Sequence, residues 1–71
     1  MNKNNIIGKS IKENRLERNI TQTELSNAIG VTHSAISFWE NGVNIPNVVD
    51  CWKMADYMKI SIDELIGREQ K

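Results

Sequence analysis

Thr32, His33, Ser34, Ser37 and Phe38 occupy one short stretch of the sequence, and their side chains suit the edges of stacked base pairs. Serine and threonine hydroxyls donate or accept hydrogen bonds, an imidazole donates to guanine N7 or O6, and a phenyl ring packs against a thymine methyl. Gln22, Asn41 and Asn44 are neutral amides able to hold phosphate oxygens. Gln22 also opens a helix pattern, where free backbone N–H groups and the dipole attract an anion. The plainer reading is a solvated helix face, with Phe38 partly folded onto the core. An exposed phenylalanine beside a buried Trp39 is harder to explain as solvated surface, which favours contact with a ligand. His33 and Cys51 could each act as general base or metal ligand. One histidine, one cysteine and no adjacent carboxylate pair make neither a catalytic constellation nor a metal site. The expectation is therefore no enzyme, no cofactor, no metal and no small-molecule substrate.

Two short helices must position these groups. Leu25 and Ile29 are four apart and share one face of the first. Gly30 follows, where a sharp turn needs positive φ, and Val31 pins that turn to a core. Thr32 supplies an oxygen to cap the next helix, whose buried stripe is Ile36 and Trp39. Ser26 is small where the two helices cross. What remains outward on the later helix is His33, Ser34, Ser37 and Phe38, so the stretch from Gln22 to Glu40 reads as a helix-turn-helix with an exposed recognition surface.

The rest of the chain supports that pair. A first helix is expected from about Asn5 to Arg18, carrying Ile7, Ile11 and Arg15, with Leu16 and Ile20 beginning a second apolar pair. Asn19 tolerates a left-handed stop, and Thr21-x-x-Glu24 is a capping box that starts the second helix. The third helix runs from about His33 to Asn41 and ends at Asn41-Gly42. Residues 43–46 form a loop. Asn47 then caps a fourth helix whose core stripe is Val48, Cys51, Met54, Ala55 and Met58, closed by Ile60. Ser61-x-x-Glu64 is a second capping box, before a short fifth helix with Ile62, Leu65 and Ile66. No strand pattern or repeat appears, so the fold is expected to be all-α with five helices.

Seventy-one residues make one domain, with an expected core over about 7–66 and flexible ends at 1–4 and 67–71. A chain this small buries only about 60% of the surface its unfolded form exposes, so its stability is marginal. The lone Cys51 excludes an internal disulfide and suggests a reducing compartment. No apolar run suits a signal peptide or a membrane span, so a cytoplasmic protein without a membrane partner is expected. Nine basic and nine acidic residues cancel, but their distribution is uneven. Residues 1–20 carry Lys3, Lys9, Lys12, Arg15 and Arg18 against Glu13 and Glu17, and from Asn19 to Trp52 there is no Lys or Arg. Phosphate neutralisation supplies most non-specific affinity for nucleic acid, so this gap bears directly on how DNA would be held.

The ordered set Ile11, Arg15, Ile20, Thr21, Gln22, Leu25, Ser26, Gly30, Val31, Thr32, Ile36, Trp39, Glu40, Gly42, Pro46, Cys51, Met54, Ala55, Met58, Ser61, Ile62, Asp63 and Leu65 resembles the running pattern of lambda-repressor-like, Cro/C1 (Xre-type) helix-turn-helix domains. The resemblance covers about residues 7–66. It departs at Asn14, a position often held by leucine, at Asn19, where glycine is common, and in the absence of basic residues after the third helix. It implies a compact lambda-repressor-like domain that binds double-stranded DNA as a homodimer, with the third helix in the major groove.

The resemblance also assigns Gln22 to phosphate contact and to bracing of the recognition helix, and it places Arg15 against Glu40 beneath that helix. Phosphates would be held by Gln22, Ser34, Asn41 and Asn44, with help from Lys9, Lys12 or Arg18. Trp52 lies at the edge of the fourth helix. It either forms a subunit interface with Ile62 and Ile66 or folds over Ile6 and Ile7 as extra core. The expected function is a sequence-specific transcriptional regulator, a repressor acting as a symmetric dimer on a pseudo-palindromic operator. With no second domain expected, control would come from abundance, a partner protein or the dimer equilibrium. The rival is a protein-interaction module or antitoxin-type partner protein that keeps the fold and binds DNA weakly, with Phe38 and Trp52 on its partner surface.

Overall fold

The computed structural model describes residues 2–68. They form α1 (Lys3–Glu17), α2 (Gln22–Ile29), α3 (His33–Glu40), α4 (Val48–Met58) and α5 (Ile62–Ile66), with no strand among the described residues. Every helix starts at a side-chain oxygen that accepts from a backbone N–H three residues on: Asn2, Thr21, Thr32, Asn47 and Ser61. The Thr21 and Ser61 caps are reciprocated by Glu24 and Glu64. Such caps satisfy N–H groups that a short helix would otherwise leave bare, each contributing about 1 kcal/mol.

The Asn2 cap starts α1 at Lys3 rather than Asn5. Of the ends expected to be flexible, residues 2–4 therefore form the cap and first turn of α1, and Gly67 closes α5 in a left-handed conformation. Residues 1 and 69–71 lie outside the described residues. Asn19 takes the left-handed conformation expected of it, with φ 56°, and Gly30 does so with φ 77°. Lys59 ends α4 the same way, with φ 59°, although lysine gives no local signal for it. Its N–H and that of Ile60 both return to the Ala55 carbonyl, which holds the turn.

Ile11, Leu25, Ile36, Met54 and Leu65 are the largest fully buried side chains, and one comes from each helix. Ile29, Trp39, Cys51, Ala55 and Met58 complete the core. The helices pack as a ring: α1 lies on α3 and α5, α2 on α3 and α4, and α4 on α5. Two sequence expectations fail at its edges, and one of the two readings of Trp52 drops out. Val48 is 75% exposed, because spacing fixes the face of a helix but not its depth, and Pro46 is the buried residue at this end of α4. Leu16 is 53% exposed, so only Ile20 of that pair packs against the core. Trp52 is 62% exposed and does not cover Ile6 and Ile7, which line a depression with Lys3, Ile66, Gly67 and Arg68. No described helix is long and apolar enough to cross a membrane.

Candidate nucleic-acid interface

The turn between α2 and α3 is short because Gly30 needs no Cβ clearance in its left-handed conformation and Thr32 caps the next helix at once. Gly30 and Val31 N–H groups both donate to the Ser26 carbonyl. Ser26 is buried, and its hydroxyl donates to the Thr23 carbonyl at 2.8 Å, leaving no polar atom unmet at the crossing. With Ile36 and Trp39 buried, α3 turns its other side outward. Thr32, His33 and Ser34 are exposed, Phe38 is 48% exposed and Ser37 is half-buried. The Asn41 amide donates to the Ser37 hydroxyl at 3.3 Å, and Asn44 is exposed in the following loop.

Beneath this face lies a charged brace. The Arg15 guanidinium donates through Nε to Glu40 Oε2 at 2.7 Å and through Nη2 to Oε1 at 3.0 Å. Its Nη1 donates to the Ile20 carbonyl at 2.8 Å. The Gln22 amide donates to Glu40 Oε1 at 2.9 Å. The two charged side chains are only 8% and 2% exposed. One carboxylate at the end of α3 thus ties α1 to the first residue of α2, and Arg15 carries the tie on to the 18–21 turn. A planar fork suits this task, since it meets both carboxylate oxygens and still reaches a carbonyl. Gln22 and His33, the first residues of α2 and α3, line one open depression along with Leu16, Ile20 and Thr23.

The cations are less available than their number suggests. Arg15 is committed to Glu40. Arg18 donates to the Met58 carbonyl at 3.2 Å and to the Asn14 carbonyl at 2.8 Å, holding the end of α4. Lys9 lines a depression with Ile6, Ser10, Glu13 and Gly67, toward α5. Lys12, four residues after Gly8, falls nearer the α3 side of the helix.

Of the residues grouped as a subunit surface, Trp52 and Ile62 are exposed, whereas Ile66 is half-buried against the core and faces the α1 depression. Val48 and Val49 extend the exposed apolar surface along α4. Cys51 is buried, and burial, aided by the neighbouring Asp50 charge, pushes its thiol pKa up. It stays protonated near neutral pH and suits packing rather than nucleophilic chemistry. Among the described residues no three of His, Cys, Asp and Glu gather as a metal site.

Sequence reasoning missed the residue that lets the brace form. Gly8 faces the end of α3, and a Cβ there would overlap the Trp39 carbonyl oxygen and press on the Glu40 carbonyl. The available signal was a glycine inside a helix, which costs about 1 kcal/mol against alanine and calls for a packing reason.

A helix-turn-helix family model matches residues 11–65 of the chain. Over 60 residues, 84% of its length, the chain is 32% identical to the HTH-type transcriptional activator BcrR of Enterococcus faecalis, of which it covers 29%. Over 50 residues, 70% of its length, it is 38% identical to the cryptic phage CTXphi transcriptional repressor RstR of Vibrio cholerae, of which it covers 45%. The chain therefore spans less than half the length of these curated relatives. Its fold is similar to that of the P22 c2 repressor, crystallised in complex with synthetic operator 9T in the presence of Tl+. The TM-score is 0.81 at 28% identity, covering 89% of this chain and 96% of that one.

Proposed function

The chain belongs to the helix-turn-helix family of the Cro/C1 type, and from that membership we propose that it is a sequence-specific DNA-binding transcriptional regulator, a cytoplasmic repressor acting as a homodimer on a pseudo-palindromic operator. The observation that carries this reading is the outward face of α3. Thr32, His33, Ser34, Ser37 and Phe38 flank it while Ile36 and Trp39 anchor its back, and Gln22 opens α2 beside His33. In the major groove the first turns of such a helix reach base edges, and paired helices in a dimer lie about 34–36 Å apart. The operator complex of the similar P22 repressor supports a DNA role, and two of the three named relatives being repressors favours repression.

Selection from a random-sequence DNA pool at moderate salt tests it. Enrichment of a palindrome with half-sites one turn apart is the expected result. No enrichment by folded protein at high concentration overturns the DNA role. Replacing His33, Ser34 and Ser37 by alanine should relax the selected half-site at the bases they face, each good contact being worth about 1–3 kcal/mol of discrimination.

Neutral donors would carry most phosphate contacts: Gln22, Ser34, Asn41 and Asn44, with Lys9 or Lys12 adding charge. Each neutralised phosphate adds about −0.9 to the slope of log K against log salt, so one or two engaged cations give a slope of about −1 to −2. Titrations between 50 and 200 mM salt, a range set by about the usual window, check this. A slope near −8 would mean a cationic surface that α3 and its loop do not carry.

The subunit contact would centre on Trp52, with Ile62, Val48 and Val49 around it and Ile66 contributing at most its half-exposed edge. Trp52→Ala removes a side chain that is 62% exposed, so the fold should stand. An interface tryptophan typically contributes about 2 kcal/mol or more, so the dimer dissociation constant should rise about 30-fold by sedimentation equilibrium. An unchanged constant would place the interface elsewhere. The exposure of Phe38 on an uncharged face favours one second reading, a protein-interaction module or antitoxin-type partner. In that case the His33, Ser34 and Ser37 replacements would abolish a protein complex rather than alter operator choice.

A further inference from the structure

Consecutive residues of α1 hold two different elements. Arg15 ties to Glu40 at the end of α3, whereas the Asn14 amide donates to the Glu64 carbonyl of α5 at 3.1 Å and to the Ser10 carbonyl at 2.9 Å. The Ser10 hydroxyl donates to the same Glu64 carbonyl at 3.0 Å. That carbonyl lies in the last turn of a five-residue helix and has no partner within α5, where the Asp63 carbonyl takes both the Gly67 and the Arg68 N–H. A helix so short has no stability of its own and takes its orientation from its contacts. Leu65 plugs it into the core and Ile66 packs half-buried beside it, but contacts at one end of so short a helix leave it free to rock about its axis. The two donors on α1 remove that freedom, and such rotation is what would re-aim the exposed Ile62.

We propose that Asn14, backed by Ser10, is a positioning residue that fixes the subunit surface relative to the recognition helix, and so sets how strictly the dimer demands one half-site spacing. This rests on the dimeric-regulator reading given above. Leucine in place of Asn14 keeps the branching at Cγ and is bulkier, but it donates nothing, so the Glu64 carbonyl would keep only Ser10. The variant should fold, since the amide it removes sits half-buried at the edge of the core rather than within it.

The test uses the full chain as wild type, Asn14→Leu and Ser10→Ala. Sedimentation equilibrium without DNA gives the dimer constant. Binding to the selected palindrome, to versions with one base pair added or removed between half-sites, and to a single half-site gives the spacing demand. Each variant, having lost one modest hydrogen bond to the Glu64 carbonyl, should weaken the dimer about fivefold. Half-site affinity should stay within about twofold, and the penalty for altered spacing should shrink by about the same fivefold factor. Equal losses on half-site and palindrome, together with a lower melting temperature, would show a merely structural role and overturn the proposal. An unmoved dimer constant and spacing penalty would overturn it as well. A wild type that dimerises but binds no DNA would refute the regulator reading and, with it, the spacing claim. A monomeric wild type that binds half-sites would refute the Asn14 proposal and leave DNA binding standing.

Discussion

Gly8→Ala should cost this protein about 3 kcal/mol and lower its melting temperature by about 12–24 °C, read by circular dichroism. By local preference the sign would be opposite, because alanine inside a helix is worth about 1 kcal/mol over glycine. The local gain loses because the new methyl has nowhere to go. Its neighbours are the Trp39 and Glu40 carbonyls, backbone atoms at the end of α3 that cannot swing aside as a flexible side chain would. Relief requires α1 to draw back from α3, which stretches the Arg15–Glu40 fork and uncovers Trp39. DNA binding should fall with stability. A variant as stable as wild type would mean that α1 can shift without loss, and the close approach would then carry no energy.

Glu40→Ala should be still more damaging, at about 3–5 kcal/mol, enough to leave a small domain largely unfolded at 37 °C. The loss is mostly not that of an attraction. It comes from leaving the Arg15 guanidinium nearly buried with the Ile20 carbonyl as its remaining acceptor, while the Gln22 amide loses its partner. The double variant Arg15→Met with Glu40→Leu separates these causes. Replacing both charges with apolar groups removes the stranded ion, and stability should return to within about 1 kcal/mol of wild type. DNA binding should not return with it, because Gln22 would no longer be braced against α3. Urea denaturation and operator titration on the same samples read both outcomes. A double variant as unstable as Glu40→Ala would show that the network is worth more than its desolvation cost.

What could be read from the sequence was local. Thr21 with Glu24, and Ser61 with Glu64, announce two helix starts from three-residue spacing alone, and Gly30 and Asn19 announce stops. The outward placement of His33, Ser34 and Phe38 follows from the Ile36–Trp39 stripe and needs no coordinates. What could not be read depends on which backbone carbonyl lies opposite a side chain far away in sequence. By sequence Arg18 is one of the cations able to hold phosphate, yet its guanidinium is folded onto the end of α4. Asn14 looked like a departure from an apolar position, yet its amide serves α5. Val48 had the correct spacing for the core and too shallow a place on its helix. Lys59 turns left-handed because the Ala55 carbonyl is there to hold the turn, which lysine itself does not foretell.

The ring of helix contacts has a consequence for the order in which the protein can assemble. Its closing seam, α1 against α5, joins residues some fifty positions apart, and the entropy of closing such a loop must be spent before the seam returns anything. A ribosome delivers α1, α2 and α3 first. The Arg15–Glu40 fork can therefore form while the last helix is still unmade, holding the outward face of α3 in place on a fragment with an open side. Only when Leu65 arrives does that side shut. A nascent chain stalled ahead of it would present an assembled α3 with part of its core bare, a target for chaperones before it is a finished domain.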